Sequence, residues 1–194
     1  MYEAVDSKYT YKGTDILKNK LNIMDEDLLK EYQTKVVGFK LSTINYVKMN
    51  DKFDSKRLKF IHKYLFDEVY FFGGEYRQEN ISKDNFRFSE YVYIEGNTDK
   101  IMSEINVEEL KKLSFEDFTE KVSYIMTELN VLHPFREGNG RTIREFIREL
   151  CDECGYLINW SEVDYQDILR VNIEAVLDET NQIKLLRETI KRKN

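Results

Sequence analysis

Apolar residues recur at helical spacing through most of the chain. Over 16–39, Leu17, Leu21, Leu28, Leu29, Val36 and Val37 stand among charges. That pattern predicts one or two amphipathic helices with a break near Asn22 to Asp25. Leu58, Ile61, His62 and Leu65 mark another helix over 54–65, with Asp54 and Ser55 as caps at its start. After Phe72-Gly73-Gly74 the helical period is lost. Phe86-Arg87-Phe88 alternates, and Tyr91-Val92-Tyr93-Ile94 is rich in strand formers. With Ser82-Lys83-Asp84-Asn85 as a polar turn, a small β-hairpin is expected over about 76–95, closed by Glu95-Gly96-Asn97.

The second half carries the strongest stripes. Phe118, Val122, Ile125, Met126 and Leu129 predict a long helix over 114–132, with Ser114 as its start and Asp117 three residues on. Ile143, Phe146, Ile147, Leu150, Cys151 and Cys154 form one uninterrupted apolar face, a core helix over 141–154 stopped by Gly155. Two further helices are expected over 164–177 and 182–193. No repeat, linker or low-complexity tract interrupts the pattern, so residues 1–194 are expected to form a single domain, mainly α, with a core over about 54–177.

Composition narrows the function. A chain of 194 residues should bury about 70% of the surface its unfolded form exposes. With 41% apolar and 13% aromatic residues, disorder is excluded. The net charge of −6 argues against direct nucleic-acid binding through a global field. No apolar run is long enough for a membrane span. Met1-Tyr2-Glu3-Ala4-Val5-Asp6 lacks the basic and apolar regions of a signal peptide, so a cytoplasmic protein is expected. Cys151 and Cys154 have redox spacing, but both fall on the buried stripe and are read as core packing. His62 is read as packed and hydrogen-bonded, since two distant histidines make no metal set.

One segment concentrates chemistry: His133-Pro-Phe-Arg-Glu-Gly-Asn-Gly-Arg-Thr-Ile-Arg144. Gly138, Asn139 and Gly140 open the core helix, where the first backbone amides have no helical partner. Glycines let successive N–H groups turn the same way, which makes an anion nest suited to phosphate. Arg141 and Arg144 lie three apart, away from the apolar stripe, and a guanidinium fork matches phosphate oxygens. Glu137 would repel a bare phosphate and is better placed to share Mg²⁺ with a nucleotide. His133 can take a proton at neutral pH, and Phe135 anchors the loop. Each feature alone also fits an ordinary loop-to-helix turn with a solvated face. Together they describe a Mg-nucleotide held by its phosphates beside a general base.

The same string fits His-x-Phe-x-[Asp/Glu]-Gly-Asn-Gly-Arg-x-x-Arg and resembles the signature of the Fic family. Tyr70-Phe71-Phe72-Gly73-Gly74-Glu75-Tyr76-Arg77 is similar to the family's Tyr-Pro-Trp-Ala-Gly-Glu-x-Arg segment, departing at Phe71, Phe72 and Gly73. The resemblance implies a compact helical bundle with a small β-hairpin flap, transferring AMP from ATP to a protein hydroxyl with release of pyrophosphate. By position it makes His133 the general base and Glu137 the Mg²⁺ ligand. Gly138, Asn139 and Gly140 would cradle the phosphates. Arg141 would hold the β-phosphate side and Arg144 the γ-phosphate. Ile81, Ser82, Lys83 and Phe86 would form the flap that registers a target segment by strand addition.

The segment Tyr11-Lys-Gly13-Thr14 with Leu17-Lys18-Asn19-Lys20-Leu21 resembles the family's toxin branch, which travels with a small antitoxin. Family members are often inhibited by [Ser/Thr]-x-x-x-Glu-[Gly/Asn], whose Glu pairs the second motif arginine. Here Glu79, Glu95 and Glu137 precede Gly or Asn, but Glu75, Tyr91 and His133 stand four before them, so the motif is missing from the sequence. Inhibition by a separate antitoxin protein is therefore expected. The toxin-branch likeness implies the ATPase subunits of DNA gyrase and topoisomerase IV as targets. Two other functions fit the residues: transfer of UMP or GMP, and a non-catalytic nucleotide-binding module.

Overall fold

The structure is a computed structural model that describes residues 7–47, 52–83 and 86–193. Among the described residues, eight helices share one apolar core: α1 (Glu26–Thr43), α2 (Ser55–Phe66), α3 (Ile94–Ser103), α4 (Val107–Leu110), α5 (Phe115–Leu132), α6 (Asn139–Glu153), α7 (Tyr165–Glu174) and α8 (Thr180–Thr189). Two antiparallel strand pairs complete it: β1 (Ser82–Lys83) with β2 (Phe86–Arg87), and β3 (Tyr156–Ile158) with β4 (Ile190–Arg192). The mainly α architecture matches the reading of the sequence.

Helix starts follow their caps. Asp54 accepts from Arg57 N at 2.9 Å to open α2, and Ser114 Oγ accepts from Asp117 N at 3.1 Å to open α5. At the centre is α6, packed against α2, α5 and β3. Its stripe Ile143, Phe146, Ile147, Leu150 and Cys151 is wholly buried. Burial of each large side chain contributes about 1.5–3 kcal/mol. Its other face is also covered, but by ion pairs: Arg57 Nε meets Glu149 at 2.8 Å, and Arg148 grips Glu145. Gly155 ends the helix at φ +85°, a conformation a side chain resists.

Three expectations are corrected. Residues 16–22 form no helix; isolated bridges join Thr10 to Leu17 and Asn19 to Tyr70. The cause is Asn19, which is fully buried and donates to the carbonyls of Leu17 (3.1 Å) and Ile23 (2.8 Å), so its amide competes with helical pairing. The hairpin is shorter than expected, since Tyr91–Tyr93 is a 3₁₀ turn leading into α3. There Ile94, Thr98, Ile101 and Met102 bury one helical face, which overrides strand propensity and makes Gly96 a helical residue. The last helix stops at Thr189, because buried Ile190 turns extended and pairs with Ile158. Asp84 and Asn85 of the expected turn, and Met1 to Asp6, lie outside the described residues. Among the described residues no helix is long and apolar enough to cross a membrane.

Candidate active site

His133 sits where α5 ends. It caps the helix in the left-handed region, at φ +49° and ψ +62°, and its N–H donates to Leu129 O at 3.0 Å. Such a backbone costs about 1–3 kcal/mol in a non-glycine residue and needs outside support. Arg77 provides it. Its Nε donates to His133 O at 2.8 Å, its Nη1 to Glu79 O at 2.7 Å, and its Nη2 to the carbonyls of Leu132 and Ser89. One buried guanidinium thus ties the end of α5 to both legs of the hairpin. Arg77→Met would abandon these buried carbonyls at about 1–3 kcal/mol apiece. The expected result is a loss of about 3 kcal/mol or more in urea unfolding; an unchanged midpoint would refute Arg77 as the clasp.

The His133 imidazole has a set tautomer. Its Nδ1 lies 3.1 Å from Asn130 O, a pure acceptor, so Nδ1 carries the proton and Nε2 the lone pair. Phe88 stacks on the ring at 3.9 Å between centroids. Burial pushes the imidazole down to about 3, so it is neutral at physiological pH. His62 is likewise pushed to about 3 by burial.

These two shifts predict an acid weakness. Unfolded histidines take up a proton near 6.5 and the folded ones resist it, so the unfolded state binds more protons. Stability is full above about 6.5 and falls as the pH drops towards 3, by about 1.4 kcal/mol per pH unit for each ring. Glu149, whose carboxyl is raised by burial, opposes this trend. The urea midpoint should therefore fall between pH 7 and pH 5; a flat profile would contradict it.

The nest follows within one turn of chain. Asn139 is buried, and its side chain closes the loop: Oδ1 accepts from Phe135 N at 2.8 Å and Nδ2 donates to Phe135 O at 2.7 Å. Its share in any cradle is therefore confined to its backbone N–H. Gly138 has φ +81°, and a Cβ there would stand 2.3 Å from Phe66 Cζ. Only glycine fits both the turn and the wall. The amides of Asn139, Gly140 and Arg141 then open α6 without helical partners.

The charged side chains converge on the same helix start. Arg141 Nη2 donates to Glu137 Oε1 at 2.9 Å, and its guanidinium lies 4.8 Å from the centre of the Phe66 ring. With its amide turned to satisfy both neighbours, Gln33 of α1 accepts from Arg141 Nη1 at 2.8 Å and donates to the Tyr70 hydroxyl at 2.6 Å. Arg141 is thus packed and aimed, not solvated. Arg144 lies over the nest: its Nη1 would be 3.2 Å from a Cβ on Gly140. Its guanidinium faces the Tyr165 ring at 6.0 Å, and burial lowers its proton affinity. An anion at the nest would therefore meet both arginines.

A resident metal does not fit, since among the described residues no three acidic, histidine or cysteine side chains gather. One half-exposed carboxylate, Glu137, at the mouth of a phosphate-type nest does fit Mg²⁺ that arrives with a nucleotide and keeps its waters.

In the hairpin, Ile81 is 1% exposed and its carbonyl accepts from Phe88 N at 3.3 Å, so side chain and backbone alike anchor the hairpin. Ser82 and Lys83 are half-buried, and Phe86 is exposed and meets Phe88 edge to face at 5.2 Å. The structure places His133, Glu137, Gly138, Asn139, Gly140, Arg141 and Arg144 along the end of α5, the loop after it and the first turns of α6. Sequence reading missed Phe88, Gln33 and the clasp of Arg77. The cysteines are free, buried and raised in pKa, as core thiols are.

The arrangement that lifts this loop between α5 and α6 is that of the Fic domain. The model of the Fic/DOC family matches residues 52–151, and the chain belongs to that family. It is 38% identical over 175 residues to protein adenylyltransferase VbhT of Bartonella schoenbuchensis, an alignment covering 90% of this chain and 37% of VbhT. It is 26% identical over 179 residues to the probable protein adenylyltransferase Fic of Escherichia coli, covering 92% and 88%. The fold also matches the solved structure of the BepC protein from Bartonella tribocorum with bound AMPPNP. There the TM-score is 0.89 at 24% identity, over 96% of this chain and 97% of that one.

Proposed function

We propose that the chain is a protein adenylyltransferase that moves AMP from ATP to a side-chain hydroxyl of another protein. The observation that carries this reading is the tautomer of His133. An imidazole whose Nδ1 gives its proton to Asn130 O keeps its lone pair on Nε2, as a proton acceptor must. The names of the relatives and the nucleotide analogue in the BepC structure support ATP as the donor.

The backbone amides at the start of α6 hold the phosphates, with Arg141 on the β side and Arg144 on the γ side. Glu137 would hold Mg²⁺, which supplies charge neutralisation along the phosphates when bound. The negative triphosphate raises the proton affinity of His133 from its depressed value. Its Nε2 takes the proton of the target hydroxyl as that oxygen bonds to the α-phosphorus. The bond from the α-phosphorus to the bridging oxygen breaks, and pyrophosphate leaves with the electron pair. Phe88, stacked on the imidazole, keeps water from the ring. The hairpin offers the outer edge of β1 for the target segment to pair with.

The chain acts, in this proposal, as a toxin silenced by a separate antitoxin protein. A carboxylate supplied from outside would take the place of the γ-phosphate on Arg144. The support is the missing inhibitory motif in this sequence and an Arg144 that faces Tyr165 rather than an acidic partner. The ATPase subunits of DNA gyrase and topoisomerase IV are the first targets to try.

The test uses ATP labelled at the α- or γ-phosphate, mixed with this chain and candidate targets. Label from the α-position alone should enter a protein. Label from the γ-position would overturn adenylyl transfer in favour of phosphorylation, and no transfer from any nucleoside triphosphate would leave a binding module.

A further inference from the structure

His62 lies outside the motif and outside the proposed chemistry, yet it touches the loop at its most exacting point. It is fully buried in α2. Its Nδ1 accepts from Gly74 N at 2.8 Å, and its Nε2 lies 3.0 Å from Glu137 O. An amide can only donate and a carbonyl can only accept, so the partners fix the proton on Nε2. The ring is clamped as well. Phe135 lies parallel to it, 3.8 Å away and tilted by 2°, and Phe66 stacks at 4.9 Å.

Peptide geometry carries this contact into the site. Among the described residues no peptide bond is cis. In a planar trans peptide the carbonyl of one residue and the N–H of the next point in opposite directions. When the Glu137 carbonyl is drawn inward to α2, the Gly138 N–H must point outward, into the nest. The link is needed because the 137–138 peptide precedes a glycine. Glycine tolerates both signs of φ, so this peptide can flip at little cost and turn a carbonyl oxygen towards the phosphates.

We propose that His62 is a positioning residue: its Nε2–H, on Glu137 O, orients the Gly138 amide as the first donor of the phosphate cradle. This deepens the adenylyltransferase reading and rests on it. The segment around Gly74 and the catalytic loop are joined through one imidazole, with one hydrogen bond to each.

Two substitutions separate those bonds. His62→Gln can place an amide N–H near the Nε2 position and keep the Glu137 contact. His62→Asn can place an oxygen near the Nδ1 position and keep only the Gly74 contact. Each loses one hydrogen bond and the ring stack, so both should lose stability. Affinity for Mg·AMPPNP, measured by calorimetry well below the unfolding transitions, should divide them. We expect His62→Asn to bind about 10- to 100-fold more weakly, the range typical when the partner of a ligating group is lost. His62→Gln should stay within a few-fold of the unsubstituted chain. Equal affinity in both variants, whether intact or weakened, would overturn the proposal.

A measurement on the unsubstituted chain guards against misfolded variants. The Gly138 amide proton resonance should shift downfield when Mg·AMPPNP is added, and an unmoved resonance would sink the assignment. The adenylyltransferase reading itself is scored separately, by transfer of α-label with the unsubstituted chain. If that transfer occurs while the His62 variants bind alike, only the role of His62 fails.

Discussion

A chain carrying Gly138→Ala is expected to lose stability and nucleotide binding together. At φ +81°, any residue with a side chain pays for left-handed backbone, about 1–2 kcal/mol. The added methyl also stands 2.3 Å from Phe66 Cζ and within 3 Å of two further ring atoms. That ring is itself fully buried and pressed against His62 and Arg141. Either the loop or the wall must move, and both set the direction of the nest amides. The combined cost should be about 3 kcal/mol, on the scale of overpacking plus backbone strain. In thermal unfolding the midpoint should fall, and Mg·AMPPNP should no longer raise it. Gly140→Ala is the contrast, since its methyl meets only the movable end of Arg144 at 3.2 Å, and its binding should survive better. Equal affinity in Gly138→Ala and the unsubstituted chain would contradict the cradle.

The second large effect belongs to His133→Ala. If Nε2 takes the proton of the hydroxyl, transfer should slow by at least about 10²-fold. Affinity for Mg·AMPPNP should persist, because the amides of α6 and both arginines are untouched. The comparison is between the rate of α-label transfer and the dissociation constant from calorimetry. Loss of binding in parallel with rate would assign His133 to shaping the loop instead. Phe88→Ala is informative beside it, since that ring stacks on the His133 imidazole.

Much of this site was legible in the sequence because it is local. His133 through Arg144 are consecutive, and the end of one helix and the start of the next force them together. The stripe of α6 was readable for the same reason: a strict helical period leaves little else to build. What escaped depends on long-range contacts. Gln33 reaches Arg141 from α1, and Arg77 reaches His133 across a span of 56 residues. No period or local motif announces such pairs. The residues from Tyr91 to Ile94 were misread because aromatic and β-branched types favour strands, while the burial of Ile94, Thr98 and Ile101 decides for a helix. Residues 16–22 were misread because one buried side chain, Asn19, bonds the backbone in place of a helical turn. His62 was legible as a packed histidine, but not as the residue that holds Glu137.

The central claim is that one loop grips a triphosphate while a neighbouring imidazole faces its α-phosphorus. It is tested most directly by a crystal structure of this chain with Mg·AMPPNP. Phosphate oxygens are expected on the amides of Gly138 to Arg141, the cation against Glu137, and Arg144 on the γ-phosphate. His133 Nε2 should face an open approach to the α-phosphorus. A nucleotide bound away from the start of α6, or with its α-phosphate turned from His133, would contradict it.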